Sequence, residues 1–515
     1  MNYKNLGKLL GKIMVLEGLL MLAPLMVSFI YGESIRYKLA FLIPLLLLLG
    51  IGFALQLLKP KRTSLYQKEG FALVALAWIV MALFGAIPFV INRDIPNYID
   101  ACFEIMSGFT TTGASIVVDI TLLSHSTLFW RSFSHWIGGM GILVFILIFI
   151  PEGDEGSSMH LLRAESPGPQ VGKLVSEMKV TTRILYLIYL GMTVLEIVLL
   201  SFARPIAGYE SDHFFFNILA SFGCAGTGGF GFIPGSMELF SPFAQYVMAT
   251  FMLLFGVNFS VYYMLLIGKV REALRSEELR VYGIVIAIAV SLVCLGLVSN
   301  MQSAVTVYSG EEAFRHSYFQ VASILTTTGF TTADYTTWPL LSSSVLLLLM
   351  FVGGMAGSTA GGIKFSRVVI AVKGIFGNVR KLINPRSVPK AKLEGKTLSQ
   401  NTISGVFAFI TMYLFILLGV TFLLCFDPAC SQTVTISSSG DVGTYEVTHG
   451  FFTNFSASLA CISNVGPAFE AVGPYANYAA YGGFSKILLS FTMLIGRLEI
   501  LPVFVLFSTK TWKNS

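Results

Sequence analysis

The sequence predicts an all-α integral membrane protein with four parallel repeats around one axis in pseudo-fourfold symmetry, preceded by two additional transmembrane helices. Of its 515 residues, 55% are apolar and only 12% are charged. The apolar residues stand in blocks of about twenty, the length that crosses ~30 Å of hydrocarbon. A soluble core of that size would need a much larger polar shell, which excludes a soluble globular protein. The order of long and short blocks, and the lysines and arginines between them, predict the rest.

The N-terminal two-helix unit, residues 1–68, holds spans near 13–31 and 39–58. Its basic start, MNYKNLGKLLGK, precedes an apolar run and has the form of a signal peptide. Equally apolar segments follow, however, and no clear small-residue cleavage site is present. We therefore expect an uncleaved first span.

Eight further long apolar runs are interspersed with four shorter ones. Each shorter run falls short of a span and suits a re-entrant half-helix, with Asn97, Ser211 and Ser309 as plausible N-caps. An amphipathic helix on the membrane surface is the alternative for any one of them. The long runs lie near 70–92, 126–150, 181–203, 241–268, 281–299, 340–375, 401–425 and 484–509, and the short runs near 99–112, 213–227, 313–328 and 449–465.

Lysine and arginine are concentrated in alternate loops, which sets the predicted orientation. The loops at 59–68, 173–183, 269–280 and 364–396 are basic, whereas the others carry only scattered basic residues. By the positive-inside rule, both termini are cytoplasmic and all four half-helices lie on the outer side. The net charge of +6 mostly reflects this topology, so it implies no nucleic-acid partner.

After the first two spans, the pattern of span, half-helix and span occurs four times. Each unit begins and ends on the inner side, so the four units run parallel and can surround one axis. The predicted units are 69–155, 156–275, 276–396 and 397–515. The ends of the half-helices align as TTTGAS (110–115), AGTGGF (225–230), TTTGFT (326–331) and SNVGPA (463–468), which puts Gly113, Gly228, Gly329 and Gly466 in register.

Four half-helices that point their C-terminal ends at one axis favour a cation there, since each end carries about half a negative charge. A glycine after each half-helix can take a positive φ without steric cost, and exposed carbonyl oxygens replace the hydration shell of a permeating ion. A capped turn in an outer loop is the alternative for any single copy. The predicted ion-binding filter comprises Thr111, Thr112, Gly113, Gly226, Thr227, Gly228, Thr327, Thr328, Gly329, Asn464, Val465 and Gly466.

These residues resemble the superfamily of Trk, Ktr and HKT potassium transporters. The two additional N-terminal spans make the chain most similar to the Trk H-type membrane subunit. Three further stretches agree with the resemblance: WRSFSHWIGGMGILV (130–144), GGMAGSTAGGIKFSR (353–367) and GRLEILP (496–502).

The resemblance implies four M1-P-M2 units and the uptake of K⁺ across a bacterial cytoplasmic (inner) membrane, which is not an enzymatic reaction. It implies a homodimer with one pore per protomer, surrounded by membrane lipid. It also implies a cytosolic ring of NAD- or ATP-binding regulatory subunits, with no organic cofactor bound to this chain. Family members with serine at the first filter glycine favour sodium, whereas Gly113 resembles the potassium-selective type.

The stretch GGMAGSTAGG, residues 353–362, interrupts the second span of the third unit. Its five glycines disfavour a rigid helix, since each costs about 1 kcal/mol relative to alanine. The resemblance implies a mobile intramembrane loop that blocks the pore beneath the filter, and a close helix-packing surface is the alternative. The predicted gate comprises Gly353, Gly354, Gly357, Ser358, Thr359, Ala360, Gly361, Gly362 and Arg497.

Arg497 lies about as far into the last span as Gly353 lies into its counterpart. A lone arginine at mid-bilayer is costly and is a functional candidate, so we expect it to face the pore below the filter and repel cations. Contacts with loop carbonyls or a structural pair with Glu499 are the alternatives. Arg131, at the outer end of a span, is expected to brace the filter.

An acidic residue follows each predicted filter copy. Four carboxylates around an outer mouth would raise the local cation concentration, and ordinary solvated loop residues are the alternative. These predicted outer-mouth acids are Asp119, Glu238, Asp334 and Glu470.

A carrier coupled to sodium or protons is the rival function. Carriers typically show broken helices in inverted repeats, whereas these repeats are parallel and filter-like, which favours a pore. The six cysteines lack metal-site spacing.

Overall fold

The computed structural model describes residues 1–60, 66–141, 178–299, 308–384, 391–437 and 444–508, and these ranges are mostly helical. Three helices come first: Tyr3–Leu20, Leu22–Ile30 and Ile35–Gln56. Four helices that we term entry helices 1–4 open the predicted units: Gln67–Gly85, Met178–Leu200, Glu277–Val298 and Gln400–Leu424.

Four short helices, half-helices 1–4, follow the entry helices: Tyr98–Phe109, His213–Gly226, Gly310–Leu325 and Phe451–Ser463. Each precedes a helix that we term return helix 1–4: His125–Gly139, Pro242–Phe255, Leu340–Phe351 and Gly483–Arg497. Further helices are Ile87–Asn92, Phe259–Leu266, Val270–Leu274, Phe365–Ile383 and Leu501–Phe507. Short 3-10 turns lie at Ile120–Leu122, Glu210–Asp212, Tyr335–Thr337 and Glu470–Val472.

Two antiparallel hairpins in connecting loops depart from the all-α expectation. Lys392–Leu393 pairs with Lys396–Thr397, and Thr433–Ser437 pairs with Thr444–Thr448. The strands of the second hairpin, TVTIS and TYEVT, are rich in threonine, valine, isoleucine and tyrosine, residue types that favour strands. Both hairpins connect helices, so the part of the chain with the length and composition to span a membrane remains helical.

Six helices in the described ranges are long and apolar enough to cross a membrane, or seven if one bent pair is counted as a span. They are the two N-terminal spans and the four entry helices, at Tyr3–Ile30, Ile35–Gln56, Lys68–Asn92, Thr182–Leu200, Glu277–Val298 and Gln400–Leu424. The predicted spans in these regions are therefore confirmed as helical, with one-residue breaks at Met21 and Ala86.

The prediction of ten continuous spans is wrong in the region of the return helices, which are shorter than predicted or bent. The predicted span at 241–268 is bent by 93° after Phe255, because the Asn258 side chain accepts a hydrogen bond from the Ser260 N–H and starts a new helix there. The predicted span at 484–509 ends at Arg497, and a helix with proline in its first turn begins at Leu501. Return helix 3 ends at Phe351, so the interruption predicted from the glycine-rich sequence is present. The span predicted at 126–150 is described only to 141, and the unit boundary at 155–156 lies outside the described residues.

Short helices lie at the four predicted half-helix positions, within a few residues at either end. Asn97 accepts a hydrogen bond from the Ile99 N–H, and Ser309 forms a capping box with Glu312, as their sequence context predicts. Ser211 is not the cap of half-helix 2. It lies inside a 3-10 turn, and the helix begins after Asp212.

Each return helix packs against the half-helix of the next unit along the chain. Return helices 1, 2 and 3 contact half-helices 2, 3 and 4, and return helix 4 contacts half-helix 1. The final helix, Leu501–Phe507, packs against entry helix 1. The last described helix therefore lies beside entry helix 1, and the helix contacts form a closed cycle.

The two N-terminal spans pack through glycines. A side-chain carbon placed on Gly11 would lie 2.7 Å from the Gly52 carbonyl oxygen, and one on Gly52 would lie 2.8 Å from the Gly11 carbonyl oxygen. Such close backbone approach allows helices to associate in lipid, where no hydrophobic force acts between them. Gly50 has nothing within 4 Å of the corresponding position.

We predict that Gly11→Ala lowers the thermal unfolding midpoint of the purified protein in detergent. Alanine favours a helix by about 1 kcal/mol over glycine, so a loss of stability would report the clash with Gly52. Gly50→Ala is the matched control and should leave the midpoint unchanged or raise it. Equal midpoints for the two variants would contradict the packing assigned to Gly11.

Candidate functional site

Each half-helix ends in the same backbone turn. Thr111, Thr227 and Thr327 each have φ of 56° and Asn464 has φ of 57°, which places all four in the left-handed region. The next residue donates its N–H to a carbonyl five residues back: Thr112 to Ser107, Gly228 to Gly223, Thr328 to Ser323 and Val465 to Ala460, at 2.8 to 3.0 Å. This pattern is the Schellman motif, and it occurs here with threonine or asparagine in place of glycine.

Three of these left-handed residues are β-branched. Asparagine tolerates this region, but threonine there is an outlier, and such backbone strain costs about 1–3 kcal/mol per residue. Strain of this kind persists where the surroundings hold the backbone in place, and it is concentrated at functional sites.

The four turns contact one another in a closed cycle. In each contact, a side-chain carbon placed on a glycine of one turn would lie 2.1 to 2.4 Å from a carbonyl oxygen of a neighbouring turn. No side chain fits at such a distance, so only glycine is compatible with these positions. The four contacts are Gly113 with Gly228 O, Gly229 with Thr328 O, Gly329 with Val465 O and Gly466 with Thr112 O.

The predicted register of the second turn is wrong by one residue. By backbone conformation, Thr227 corresponds to Thr111, and Gly229 at φ 55° corresponds to Gly113 at φ 79°. Gly228, which the sequence alignment put in register with Gly113, instead corresponds to Thr112. Gly226 is the last residue of half-helix 2.

The four carbonyl oxygens of the cycle belong to Thr112, Gly228, Thr328 and Val465, all of which are buried. Within the described residues, none of these oxygens accepts a hydrogen bond. Buried carbonyls are normally paired, so these four are available to a ligand that seeks oxygen donors. The half-helix C-termini add a negative partial charge, and a small cation fits that chemistry.

Side-chain hydroxyls stabilise the turns locally. The Thr110 and Thr112 hydroxyls are hydrogen-bonded at 2.8 Å, and the Thr326 and Thr328 hydroxyls are bonded at the same distance. The Asn464 amide donates to the Thr112 hydroxyl at 2.9 Å, which joins the fourth turn to the first.

A buried ion pair joins the first two turns. Arg131 lies 2.8 Å from the Glu104 carboxylate, and both side chains are almost fully buried. Arg131 also donates to the Gly231 carbonyl at 2.9 Å, and Glu104 accepts from the Ser115 hydroxyl and the Ile116 N–H at 2.9 Å. Arg131 therefore contacts the segments that follow turns 1 and 2. A residue that braces the filter is expected to make such contacts.

A cavity of about 400 Å³ lies on the side of the turns away from the half-helices, with Gly113, Gly229 and Gly329 in its lining. Asp119 also lines it, and hydrogen bonds from the Thr121 hydroxyl and N–H lower the pKa of this carboxyl.

The other three predicted outer acids do not line this cavity, and each has a polar partner. Glu238 accepts from the Tyr475 hydroxyl at 2.6 Å and Glu470 accepts from Thr453 at 2.6 Å. Asp334 is buried and accepts from Thr336 and Tyr445. Local loop structure therefore engages three of the four predicted acids, and their role in attracting cations to an outer mouth stays a prediction.

The glycine-rich loop, residues 353–362, lies against turns 3 and 4. The Gly361 N–H donates to the Thr327 hydroxyl at 2.7 Å, and a side-chain carbon on Gly361 would lie 2.5 Å from the Ser463 carbonyl oxygen. The neck of the loop closes where the Gly353 N–H donates to the Ile363 carbonyl at 2.7 Å. Gly357 and Gly362 have positive φ, 76° and 64°.

Other loop residues bond within the loop or to return helix 2 and the residues that follow it. Phe365 donates to the Gly354 carbonyl at 3.0 Å, and Lys364 donates to the Ala360 carbonyl at 2.5 Å. The Ser358 hydroxyl donates to the Met355 carbonyl at 2.7 Å. Contacts with the return helix 2 region are Met355 N–H to Gly256 O at 2.9 Å, Phe259 N–H to Gly357 O at 3.0 Å and Thr359 hydroxyl to Phe255 O at 3.2 Å.

Arg497 bonds to loop and helix-end carbonyls, which was one of the alternatives from the sequence. Its guanidinium donates to the Thr359 carbonyl at 2.9 Å and to the carbonyls of Gly138 and of Gly139, the latter at 2.8 Å. Glu499, which the other alternative pairs with Arg497, forms a buried ion pair with Arg367. Arg497 therefore links return helices 1 and 4 to the loop.

The sequence reasoning did not identify Glu104, Glu278 or Gly229 as site residues. A buried acid in a short apolar helix was the available signal for Glu104, and the extra glycine in AGTGGF was the signal for Gly229. In the described ranges there is no group of three or more His, Cys, Asp or Glu side chains placed to hold a metal.

A family model described as TrkH, a cation transport protein, matches residues 40–514. The chain is 31% identical over 522 residues to the Trk system potassium uptake protein TrkH of Salmonella typhimurium, and 31% identical over 521 residues to its Escherichia coli counterpart, with 100% of each chain covered. The crystal structure of the potassium transporter TrkH from Vibrio parahaemolyticus matches with a TM-score of 0.82 and 27% identity over 100% of both chains. The chain therefore belongs to the TrkH family of cation transport proteins.

Proposed function

We propose that this chain takes up K⁺ across the bacterial cytoplasmic membrane through a gated pore whose selectivity filter is the cycle of four turns. The observation that carries the proposal is the closed cycle of glycine and carbonyl contacts between turns that are distant in sequence. Four units of M1-P-M2 type around one pseudo-fourfold axis account for this cycle. The similar proteins of Salmonella typhimurium and Escherichia coli are named potassium uptake proteins.

In this proposal, the carbonyl oxygens of the four turns replace the water around the ion. The residues that present them are Thr111 to Gly113, Thr227 to Gly229, Thr327 to Gly329 and Asn464 to Gly466. Buried oxygens without a protein donor, beside four helix C-termini, favour a monovalent cation over an anion. The buried Arg131–Glu104 pair supports a fixed spacing between turns 1 and 2.

The glycine-rich loop and Arg497 form the proposed gate beneath the filter. The loop lies against turns 3 and 4, and Arg497 places a positive charge between the loop and the end of return helix 1. A guanidinium at this depth repels cations, so this arrangement supports a closed state. Opening requires the Gly361–Thr327 and Arg497–Thr359 hydrogen bonds to break.

The proposal extends to topology and partners by family resemblance. The termini are cytoplasmic, because the basic loops mark the inner side. The chain forms a homodimer and is regulated by a cytosolic nucleotide-binding subunit of the Trk system. A sodium- or proton-coupled carrier is the second candidate, which the interruptions of the return helices favour, since broken helices are typical of carriers.

We predict that Gly113→Ser reduces the preference for K⁺ over Na⁺. The β-carbon of the serine would lie 2.1 Å from the Gly228 carbonyl oxygen, and the serine backbone would have to adopt φ 79°. The spacing of the filter oxygens must therefore change. The measurement is the uptake of rubidium and of sodium by cells that lack other potassium uptake systems.

Gly231→Ala is the control for the Gly113 variant. Gly231 lines the same cavity, but its nearest neighbour would be 3.4 Å from the added carbon, so selectivity should be retained. Unchanged selectivity in Gly113→Ser would count against the filter assignment.

We predict that Arg497→Ala increases the basal leak of K⁺, because the loop loses a charged hydrogen bond to Thr359 and the pore loses a cationic barrier. The measurement is rubidium flux into liposomes that contain the purified variant and no partner subunit. Arg275→Ala, which removes an exposed arginine, is the matched control and should flux like the wild type. Tight closure of Arg497→Ala would remove this residue from the gate.

A further inference from the structure

A single buried carboxylate bonds to both sides of the glycine-rich loop. Glu278 lies in the first turn of entry helix 3 and is 5% exposed. Its Oε1 atom accepts hydrogen bonds from the N–H groups of Ala356 and Ser366, both at 3.0 Å. Ala356 belongs to the loop, and Ser366 lies in the first turn of the helix that follows the loop. One oxygen atom therefore fixes the loop and its following helix to the start of entry helix 3.

A second glutamate holds that helix start. Glu394 Oε1 accepts from the Ser276 hydroxyl and the Glu277 N–H at 2.8 Å, and from the Glu278 N–H at 3.2 Å. The first N–H groups of a helix have no partner within the helix, and a carboxylate at this end is also favoured by the helix dipole. The position of Glu278 thus depends on Glu394.

Glu394 projects from the two-residue turn of the hairpin at 392–397. Glu394 and Gly395 have φ of 50° and 75°, the signature of a type I′ turn, for which Asn-Gly is the favoured sequence. Glutamate is disfavoured in this backbone conformation. Its hydrogen bonds to the start of entry helix 3 give Glu394 a structural role at this position. Lys373, from the helix after the loop, donates to the Lys392 carbonyl at 2.6 Å and pairs with Glu277, so hairpin, helix start and loop form one connected unit.

We propose that Glu278 is a positioning residue for the gate and that Glu394 sets the position of Glu278 from the hairpin. This inference rests on the proposed function, in which the loop closes the pore. The loop cannot leave entry helix 3 without losing two hydrogen bonds to a buried carboxylate, and bonds to charged groups are the stronger ones. The hairpin therefore biases the gate toward closure without contacting the ion path.

The test uses the purified full-length protein in planar bilayers with K⁺ as the charge carrier. Glu278→Ala should raise the open probability by about tenfold, the scale expected for the loss of these bonds, with unitary conductance and K⁺ over Na⁺ preference unchanged. Glu278→Gln keeps a neutral oxygen acceptor at the same place and should give an open probability between those of the wild type and Glu278→Ala.

Glu394→Asn tests the proposal at a residue of the hairpin, outside the loop. Asparagine suits the type I′ turn but is shorter, so the hairpin is retained while the cap weakens, and the open probability should rise in the same direction. Glu272→Ala is the control, because it removes an exposed glutamate in the connecting segment before entry helix 3, and it should change nothing. If Glu278→Ala does not fold, the Glu394→Asn result decides the proposal.

Three results would overturn the inference and leave the proposed function intact. These are a wild-type open probability in Glu278→Ala and in Glu394→Asn, a Glu278→Gln variant that opens as much as Glu278→Ala, or a change in selectivity in place of open probability. A wild-type protein that passes no K⁺-selective current would instead contradict the proposed function.

Discussion

The contact between a glycine of one turn and a carbonyl oxygen of its neighbour is the constraint on which the rest of the structure depends. At 2.1 to 2.4 Å from a would-be side-chain carbon, only a hydrogen atom fits, so each turn is fixed relative to two others. This closeness requires the left-handed residue at the end of each half-helix, and three of these residues are strained threonines. The Schellman hydrogen bonds hold the strained backbone in place, and the buried Arg131–Glu104 pair joins the segments that follow turns 1 and 2.

The interruptions of the return helices follow from the same arrangement. Return helix 1 ends in the Gly138 and Gly139 carbonyls, return helix 4 ends in Arg497, and the two meet through hydrogen bonds. Phe255 at the end of return helix 2, and Gly256 after it, accept from the loop that follows return helix 3. Hydrogen bonds to the loop or through Arg497 therefore connect the described ends of all four return helices. Irregular backbone at this depth is tolerated because its polar groups bond to one another.

Sequence reasoning predicted the features that depend on composition along the chain. Apolar length located the entry helices and half-helices, and clustered glycines located the loop at 353–362. It missed the bend at Gly256–Asn258 and the break before Leu501, because a few isolated helix breakers within a long apolar run do not by themselves exclude a continuous helix. The register of turn 2 failed because AGTGGF offers three glycines, and backbone φ chooses between them. Glu104 and Glu278 were missed because their bonding partners, Arg131 for the first and Ala356 and Ser366 for the second, are distant in sequence.

The four turns share a backbone conformation but not their side-chain contacts. Arg131 contacts the chain after turns 1 and 2, whereas Thr327 of turn 3 accepts the Gly361 N–H of the loop. In turn 4, Asn464 donates to the Thr112 hydroxyl and to the Met493 carbonyl of return helix 4. Since Met493 and Arg497 lie one helical turn apart, return helix 4 contacts both turn 4 and the loop. A displacement of the loop therefore alters the contacts of turns 3 and 4 first, while the Arg131–Glu104 pair holds turns 1 and 2. A single chain with non-identical repeats can thus assign contact with the loop to one pair of turns and a fixed spacing to the other.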